Sequence, residues 1–396
     1  MAARRRKKRG EQQGHPSPAP REDPQEWLDA GPAEELAKRP LQQIRVGRKV
    51  FAVSCVAGRF HALNGSCNHA GGPLGEGQLD AEGYVVCPWH YWRFHHATGK
   101  GERGFEEDTV PVHETRVRAG RLEIRARAST RRQRKPHAPH PLTQMKQRGE
   151  PGGPGPDAPL RLLGISTTAM DTGHPRYSTS DDLLASALAR AGALGCETRL
   201  VRLAELRFRH CEGFYSKSAR ACTWPCSITQ LDPTDQMDRV YESVVGWSDI
   251  VLVATPIRWG AASSLYYKMV ERMNCVQNQE TIAGRHLMRL KVAGFIVTGG
   301  QDNVQAVVGQ MLGFFAELGC QFPQFPFIAH SRGWSAEDME NNARYVQRSR
   351  DLHAGAENLV ERCVETARAL IAGILGCELP VHGGRKGRQL DVRAQV

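Results

Sequence analysis

Two short runs hold the residue types best suited to metal or redox chemistry: Cys67-Asn68-His69 and Cys87-Pro88-Trp89-His90, with residues 70–86 between them. Each run offers one thiolate and one imidazole. Two thiolates suit one iron of a [2Fe-2S] cluster and two neutral imidazoles the other, and exchanging anionic ligands for neutral ones raises the potential above that of an all-cysteine cluster. One-electron transfer is the chemistry to expect. Zinc accepts the same donors in structural knuckles, so the residues around the ligands must decide between the two.

Around the ligands the chain reads Cys67-Asn-His-Ala-Gly-Gly-Pro-Leu-Gly-Glu-Gly and Cys87-Pro-Trp-His-Tyr-Trp-Arg-Phe. Both stretches closely resemble the cluster-binding loops of Rieske ferredoxins and of Rieske oxygenase N-terminal domains. The resemblance implies a [2Fe-2S] cluster held by Cys67, His69, Cys87 and His90. Gly71, Gly72, Gly75 and Gly77 are expected to let backbone approach the inorganic sulfides, while Pro73 and Pro88 stiffen the loops. The respiratory type of Rieske protein has a further cysteine in each loop, joined as a disulfide; those places here hold Gly72 and Trp89. Its sulfide-bonding serine has no counterpart either, since Tyr91 and Trp92 follow His90. Fewer hydrogen bonds stabilise the reduced cluster less, so the potential is expected toward the lower part of a span of about −150 to +300 mV. His95 and His96 lack a cysteine partner and read as surface residues rather than ligands.

The elements that must position these loops read as short strands of a small antiparallel sandwich: Val50–Val53, Phe60–Leu63, Tyr84–Val86 and Leu122–Ile124. A chain of 396 residues is too long for that domain alone. The expected fold class is therefore multidomain, a small all-β Rieske domain plus an α/β flavodoxin-like doubly wound parallel sheet. Residues 1–25 form a basic, Pro-rich arm, 26–127 the Rieske domain, 128–158 a linker, 159–380 the flavodoxin-like domain and 381–396 a basic tail. The arm and linker have too few apolar side chains to offset the entropy of ordering. The net charge of +11 is concentrated in the arm, the linker and the tail, so nucleic acid is not an expected partner. No apolar run is long enough to span a bilayer, and no hydrophobic signal core follows the basic arm; a cytoplasmic protein with reduced thiols is expected.

From residue 160 strand and helix alternate. The expected strands are Leu162–Ser166, Thr198–Leu203, Ile250–Ala254 and Val292–Val297, with a last one within Cys320–Ile328. Helices are expected at Asp181–Ala193, near Asp235–Val245 and Ser263–Met273, and over Asn303–Leu318. Apolar strands between amphipathic helices imply a parallel sheet whose ligand site lies beyond the carboxyl ends of the strands. The loops there contain Ser166 with Ser178, Thr179 and Ser180; then Thr255, Pro256, Ile257, Arg258, Trp259 and Gly260; then Thr298, Gly299, Gly300 and Gln301. Together they resemble the NAD(P)H-dependent FMN reductase branch of the flavodoxin-like superfamily over about residues 160 to 330. The resemblance implies that Ser166, Ser178, Thr179 and Ser180 hold the FMN phosphate at a helix N-terminus, although N-capping by Ser180 or Thr179 would need no ligand. It also implies that Pro256 to Gly260 line the isoalloxazine edge and that Gly299, Gly300 and Gln301 face its pyrimidine or dimethylbenzene side. Two departures stand out: Met170–Tyr177 lengthens the first loop, and Arg258 sits where an aromatic is common.

Gly99-Lys-Gly101-Glu-Arg-Gly104 satisfies G-x-G-x-x-G but follows a cluster loop instead of opening a helix after a parallel strand, so it is not read as a dinucleotide site. Iron-sulfur flavoproteins, which share the second fold, have a compact four-cysteine run in the region where Cys211, Cys222 and Cys226 stand as C-x10-C-x3-C. With no fourth cysteine nearby, these three are expected to be ordinary thiols in an insertion covering the flavin. A helix near Ala356–Ile374 has core-like periodicity at Leu359, Val364 and Leu370 and should pack on the sheet or on a second subunit.

The reading is a flavin and iron-sulfur oxidoreductase using a [2Fe-2S] cluster, FMN and NAD(P)H as co-substrate, with a small-molecule or protein electron acceptor and a homo-oligomeric state. Catalysis is mainly cofactor positioning, and no side-chain acid or base is assigned. The alternatives are a quinone or FMN reductase with an accessory Rieske domain, and a non-enzymatic electron carrier or redox sensor. A complete Rieske oxygenase is not expected, because no D/E-x2-H-x4-H mononuclear-iron motif stands outside the cluster loops.

Overall fold

The computed structural model describes residues 27–126, 140–232, 234–299, 303–333 and 335–375, in two compact units. The first unit contains β1 (Trp27–Pro32), a short α1 (Ala33–Ala37), β2 (Leu41–Val46), β3 (Lys49–Val56), β4 (Arg59–Asn64), β5 (Gln78–Leu79), β6 (Tyr84–Val86), β7 (Arg93–His95), β8 (Val112–Arg118) and β9 (Arg121–Arg125). Six strands pair in the order β1-β9-β8-β4-β3-β2, and β5-β6-β7 make a second small sheet; every pairing is antiparallel. All four strands expected from sequence lie within these elements.

Alternation along β3 explains how one strand serves two layers, since successive side chains leave opposite faces. Phe51 and Val53 join Ala62, Leu122 and Ile124 in one buried cluster. Ala52 between them joins Leu63, Leu74, Val85, Phe94, Cys67 and Cys87 in the other. The cysteines are thus part of a packed apolar layer. Arg93 ties the second sheet together by donating to Asp80 through Nε (2.9 Å) and to Glu82 and Glu102 (2.8 Å each).

The second unit opens with α2 (Pro141–Gln144). It continues through β10 (Arg161–Ser166), α3 (Thr179–Ala193), β11 (Glu197–Arg202), α4 (Ser227–Leu231), α5 (Met237–Tyr241) with a π-helical turn over Glu242–Trp247, and β12 (Ile250–Pro256). Then come α6 (Ser264–Arg272), α7 (Asn274–Ala283), β13 (Val292–Gly299), α8 (Val304–Glu317), β14 (Phe327–Ser331), α9 (Ala336–Arg348) and α10 (Arg350–Ile371). The sheet is parallel throughout, in the order β11-β10-β12-β13-β14, which is the flavodoxin-like arrangement. Helices α3 and α10 bury Leu183, Leu184, Ala187, Leu359, Val360 and Val364 against Leu162, Ile250 and Leu252 of the sheet. Gly294 permits that approach: a Cβ there would lie 2.8 Å from a Leu252 methyl and 3.1 Å from Cys363 Sγ. Expected core residues Leu359, Val364 and Leu370 are all buried in this layer.

Two expectations need correction. The last strand falls at Phe327–Ser331 rather than within Cys320–Ile328; Pro323 and Pro326 have no amide to give a ladder, though the Pro326 carbonyl still accepts from the Phe295 amide (2.9 Å). The segment expected as a linker over 128–158 is described only from residue 140, and from there it packs on the second unit. Arg148, 8 % exposed, forms a two-pronged pair with Asp249 (2.9 Å for each oxygen) and donates to the Pro159 carbonyl (2.9 Å). The Arg161 amide donates to the same carboxylate (2.9 Å), so this pair clamps the incoming chain to the starts of β10 and β12.

Removing one partner of a buried pair leaves an uncompensated charge and costs about 3–5 kcal/mol. Arg148→Ala is therefore expected to lower the denaturation free energy of the second unit by about that amount, measured by urea unfolding followed through flavin release. A change under about 0.5 kcal/mol would show that the segment does not dock as described.

Candidate functional site

The two cluster loops have the same backbone plan. In the first, the Cys67 amide donates to the Gly72 carbonyl (2.8 Å) and the Cys67 carbonyl accepts from the Gly71 amide (3.0 Å); in the second, Cys87 does the same with Trp92 (2.8 Å) and Tyr91 (3.0 Å). The plan requires left-handed backbone at the fifth position, and both loops comply, with φ of 88° at Gly71 and 62° at Tyr91. Glycine takes that conformation freely, whereas tyrosine is strained in it.

Among the other loop glycines, Gly72 is the one that faces the ligands. A Cβ there would stand 2.8 Å from Cys87 Sγ and 3.0 Å from the Trp89 ring. Gly75 and Gly77, expected to face the sulfides, instead make room for protein: a Cβ at either would collide with Gln43 and the Gln42 carbonyl, or with the Val86 carbonyl.

All four expected ligands come together. Cys67, Cys87 and His90 are each 1 % exposed, His69 is half-buried, and the two Nδ1 atoms face each other at 3.1 Å. The Trp92 indole lies flat on His69, with ring centroids 4.6 Å apart at 3°, and holds the imidazole from the side. The Cys67 thiol is pushed well above the ordinary range by its hydrogen bond to Cys87 and then by burial and the Cys87 charge; the His69 and Ala70 amides act against this. Two sulfurs this close ionise together only beside a cation, which iron supplies. The donor set thus fits a two-iron cluster, one cysteine pair and one histidine pair. No three of these or any other His, Cys, Asp or Glu side chains among the described residues are drawn together as a site for a bare ion.

His95 and His96 prove to be half-buried, not surface residues, in a group with His61. Ring centroids are 4.8 Å apart for His61 with His96 and 4.7 Å for His95 with His96. His96 Nδ1 meets the Gly83 carbonyl at 2.8 Å, and burial lowers the pKa of both His61 and His95. Gly99 and Gly101 of the G-x-G-x-x-G match serve tight packing against the Val110 and Phe105 carbonyls.

In the second unit, parallel strands deliver three loops to one edge, and hydrogen bonds join them there. Thr179 Oγ1 meets Thr298 Oγ1 at 2.7 Å, linking the first loop to the last. The Ile257 amide donates to the Thr298 carbonyl (2.7 Å), and the Ser263 hydroxyl donates to the Thr167 carbonyl. Ser178 caps α3 by accepting from the Asp181 amide (3.3 Å), which leaves the Thr179 and Ser180 amides, without partners in the helix, at its N-terminus. Thr168 Oγ1 lies 3.0 Å from Ser178 Oγ and 3.1 Å from Ser180 Oγ. Ser166, 2 % exposed, donates to Asp181 (2.6 Å). Thr167 Oγ1 is buried without a hydrogen-bond partner, and such an orphan beside a helix N-terminus fits an oxyanion ligand.

Thr255 and Thr298 are fully buried under these loops, while Trp259 is 95 % exposed at their tip. Both Trp259 and Gly260 have left-handed backbone, and a Cβ at Gly260 would come 3.1 Å from Asn303 Nδ2. Gly299 lets the second and third loops touch, since a Cβ there would lie 2.7 Å from Ile257 Cβ. Gly300 and Gln301 fall outside the described residues. Sequence reasoning took in the hydroxyls of Thr167 and Thr168 with the first loop and passed over Asp181. The S-x-x-D spacing from Ser178 to Asp181 was the available signal for the last.

Comparison with known proteins agrees with this geometry. Residues 26–114 match the Rieske [2Fe-2S] domain family, and residues 171–334 match the NADPH-dependent FMN reductase family. The ferredoxin component of the alkene monooxygenase system of Xanthobacter autotrophicus is 31% identical over 85 residues, covering 22% of this chain and 70% of that protein. Mouse apoptosis-inducing factor 3 is 30% identical over 113 residues, which are 28% of this chain and 18% of that protein; the chain thus spans under a fifth of that relative. The crystal structure of RosB with a bound 8-demethyl-8-formylriboflavin-5'-phosphate intermediate aligns with 53% of this chain and 80% of its own at 20% identity and a TM-score of 0.43.

Fold and sites together define two redox-cofactor units on one chain, a Rieske-type unit and a flavodoxin-like FMN unit. The chain belongs to the Rieske [2Fe-2S] family through its first unit, and its second unit matches the NADPH-dependent FMN reductase family. Its cofactors are accordingly a [2Fe-2S] cluster and FMN, with NAD(P)H. Among the described residues no helix is long and apolar enough to cross a membrane.

Two outcomes follow from the loop geometry. Tyr91→Gly should keep or raise the stability of the Rieske unit and Tyr91→Val should lower it by about 1 kcal/mol, because left-handed backbone is free only for glycine; calorimetry giving the opposite order would refute the strain at this position. Thr179→Glu brings a carboxylate to the N-terminus of α3 and should weaken FMN binding at least about tenfold, or about 1.4 kcal/mol, in fluorescence titration of the apoprotein. An unchanged affinity would remove the phosphate from this helix end.

Proposed function

We propose that electrons enter this protein as hydride from NAD(P)H at the FMN and leave singly through the Rieske centre. The observation that carries the reading is the presence on one chain of two complementary sites: a ligand set for a one-electron cluster and a three-loop edge suited to a flavin. When bound, FMN supplies the exchange between paired and single electrons that neither nicotinamide nor a [2Fe-2S] cluster can make alone.

The chain's own residues then have separable tasks. Cys67 and Cys87 hold one iron, His69 and His90 the other. The Thr179 and Ser180 amides and the Thr167, Thr168 and Ser178 hydroxyls receive the phosphate, with Ser166 bracing Asp181 behind them. Pro256 to Gly260, with Gly299, Gly300 and Gln301, border the ring system, and Trp259 offers an exposed aromatic face to an incoming planar ring. Arg258 adds a cation that favours an anionic reduced flavin. The resemblance of the first unit to a ferredoxin component of a monooxygenase system supports a protein as electron acceptor.

The order of flow is testable by stopped-flow absorbance. In the wild type, NADPH or NADH should bleach the flavin band before the cluster band. A His90→Ala protein should lose the cluster's low-g electron paramagnetic resonance signal and keep flavin reduction, while delivery to a one-electron acceptor falls by about tenfold or more. Loss of flavin reduction in a variant that retains FMN would overturn this order. Undiminished delivery would instead favour a reductase whose Rieske unit is accessory.

A further inference from the structure

The third flavin loop opens with Thr298-Gly299-Gly300, and two glycines in a row have the widest backbone freedom, which is lost when a ligand binds. Holding such a loop in one shape takes contacts from outside it. Strand β14 and helix α9 supply them at Gly299. The register of the parallel sheet sets His330 beside Thr298 and Ser331 beside Gly299, and the Gly299 carbonyl accepts from the Arg332 amide (3.2 Å) and from Asn342 Nδ2 (3.4 Å). Asn342, 5 % exposed on α9, meets His330 Nε2 through its Oδ1 (2.8 Å). We propose that His330 and Asn342 are positioning residues of the flavin site, a role that rests on the site proposed above: they fix the Gly299 carbonyl and, through it, the third loop against the flavin ring.

The chemistry of the groups gives this chain of hydrogen bonds its direction. A carbonyl only accepts, so Asn342 turns its NH2 to Gly299 and its oxygen to His330, whose Nε2 must then carry a proton. The bonds run one way, from His330 to Asn342 to Gly299. An aromatic stack closes the circuit: the His330 ring lies on Tyr345, with centroids 5.1 Å apart at 19°, and the Arg332 guanidinium stands over the same ring at 4.9 Å. Arg332 returns to Gly299 through its amide. The Gly299 carbonyl thus takes two donors and both ends of the Asn342 amide are used, and a buried polar network satisfied in this way is rigid.

The neighbouring residues show what the brace serves. Thr298 is fully buried and joins the other two loops, meeting Thr179 Oγ1 with its hydroxyl (2.7 Å) and accepting from the Ile257 amide with its carbonyl (2.7 Å). Gly299 is the next residue, so all three flavin loops refer to one short stretch that β14 and α9 hold from behind. Helix α9 starts at Ala336, outside residues 171–334 that match the reductase family, so Asn342 and Tyr345 lie beyond what that match covers.

The test uses the full-length protein, with FMN removed and titrated back by fluorescence, the absorption band of bound flavin recorded and the thermal midpoint measured. Asn342→Asp keeps the shape but has no N–H for the Gly299 carbonyl, and His330→Phe keeps a ring on Tyr345 without a donor. Each is expected to weaken FMN binding about tenfold and to move the bound-flavin band toward that of free FMN. His330→Gln, whose amide supplies an N–H in place of Nε2, is expected to retain the wild-type affinity and band. Tyr345 is 46 % exposed, so Tyr345→Ala reads the brace even if the Asn342 variant fails to fold, with an expected loss of about threefold. A lowered thermal midpoint with FMN affinity and band unchanged in these variants would assign the residues to folding alone and overturn the proposal. Wild-type protein that takes up no FMN would overturn the flavin site and the brace together.

Discussion

The ion pair between Arg272 and Asp235 is the interaction on which the irregular part of the second unit depends. Both side chains are wholly buried, and burial of two charges costs several kcal/mol per ion unless every donor and acceptor finds a partner. Here nearly all do: the guanidinium donates to both carboxylate oxygens (2.9 Å each), to Thr229 Oγ1 (2.7 Å) and to the Arg209 carbonyl (2.8 Å), and the carboxylate also accepts from the Arg209 amide (2.8 Å). Residues on both sides of the insertion are thereby fastened to the last residue of α6. A segment of short turns has no ladder of its own, so this buried charge network supplies the specificity that strand pairing supplies elsewhere.

The flavin edge rests on a different constraint. In a parallel sheet every strand ends at the same side, so loops far apart in sequence meet without a dedicated interaction. Thr179 and Thr298, 119 positions apart, share a hydrogen bond for that reason. In the Rieske unit, by contrast, two similar loops are set against each other by the β5-β6-β7 sheet and by Ala52, Leu74 and Phe94 beneath them. The first arrangement makes an edge of backbone and hydroxyl donors, the second a compact cage of sulfur and nitrogen.

What could be read from sequence follows from range. The ligands of the cluster loops lie two or three positions apart within each loop, the strands are local apolar runs, and the flavin loops follow directly on those strands; each of these leaves a pattern in a short window. Arg148 and Asp249 are 101 positions apart, and nothing in the Gly- and Pro-rich stretch around Arg148 distinguishes a docking arginine from a solvated one. Cys275 stands on α7, a helix the sequence reading did not place, so its approach to Cys226 emerges only when the insertion folds back. Trp92 reads as one aromatic among several and becomes informative only through its stack on His69. The misplaced end of the last strand has a simpler cause. Two prolines mark where pairing stops but not where it resumes.

The character of the Rieske cage bears on what it can exchange electrons with. Amides of His69 and Ala70 reach Cys67, while the place of the respiratory-type serine after His90 is taken by Tyr91, 51% exposed, and Trp92 stacks on His69. Hydrogen bonds to cluster sulfur stabilise the extra negative charge of the reduced state, and an apolar cover withholds them. On the proposed path from flavin to cluster, a potential low in the Rieske span would let electrons pass without a large loss of driving force, which a high-potential cluster would not.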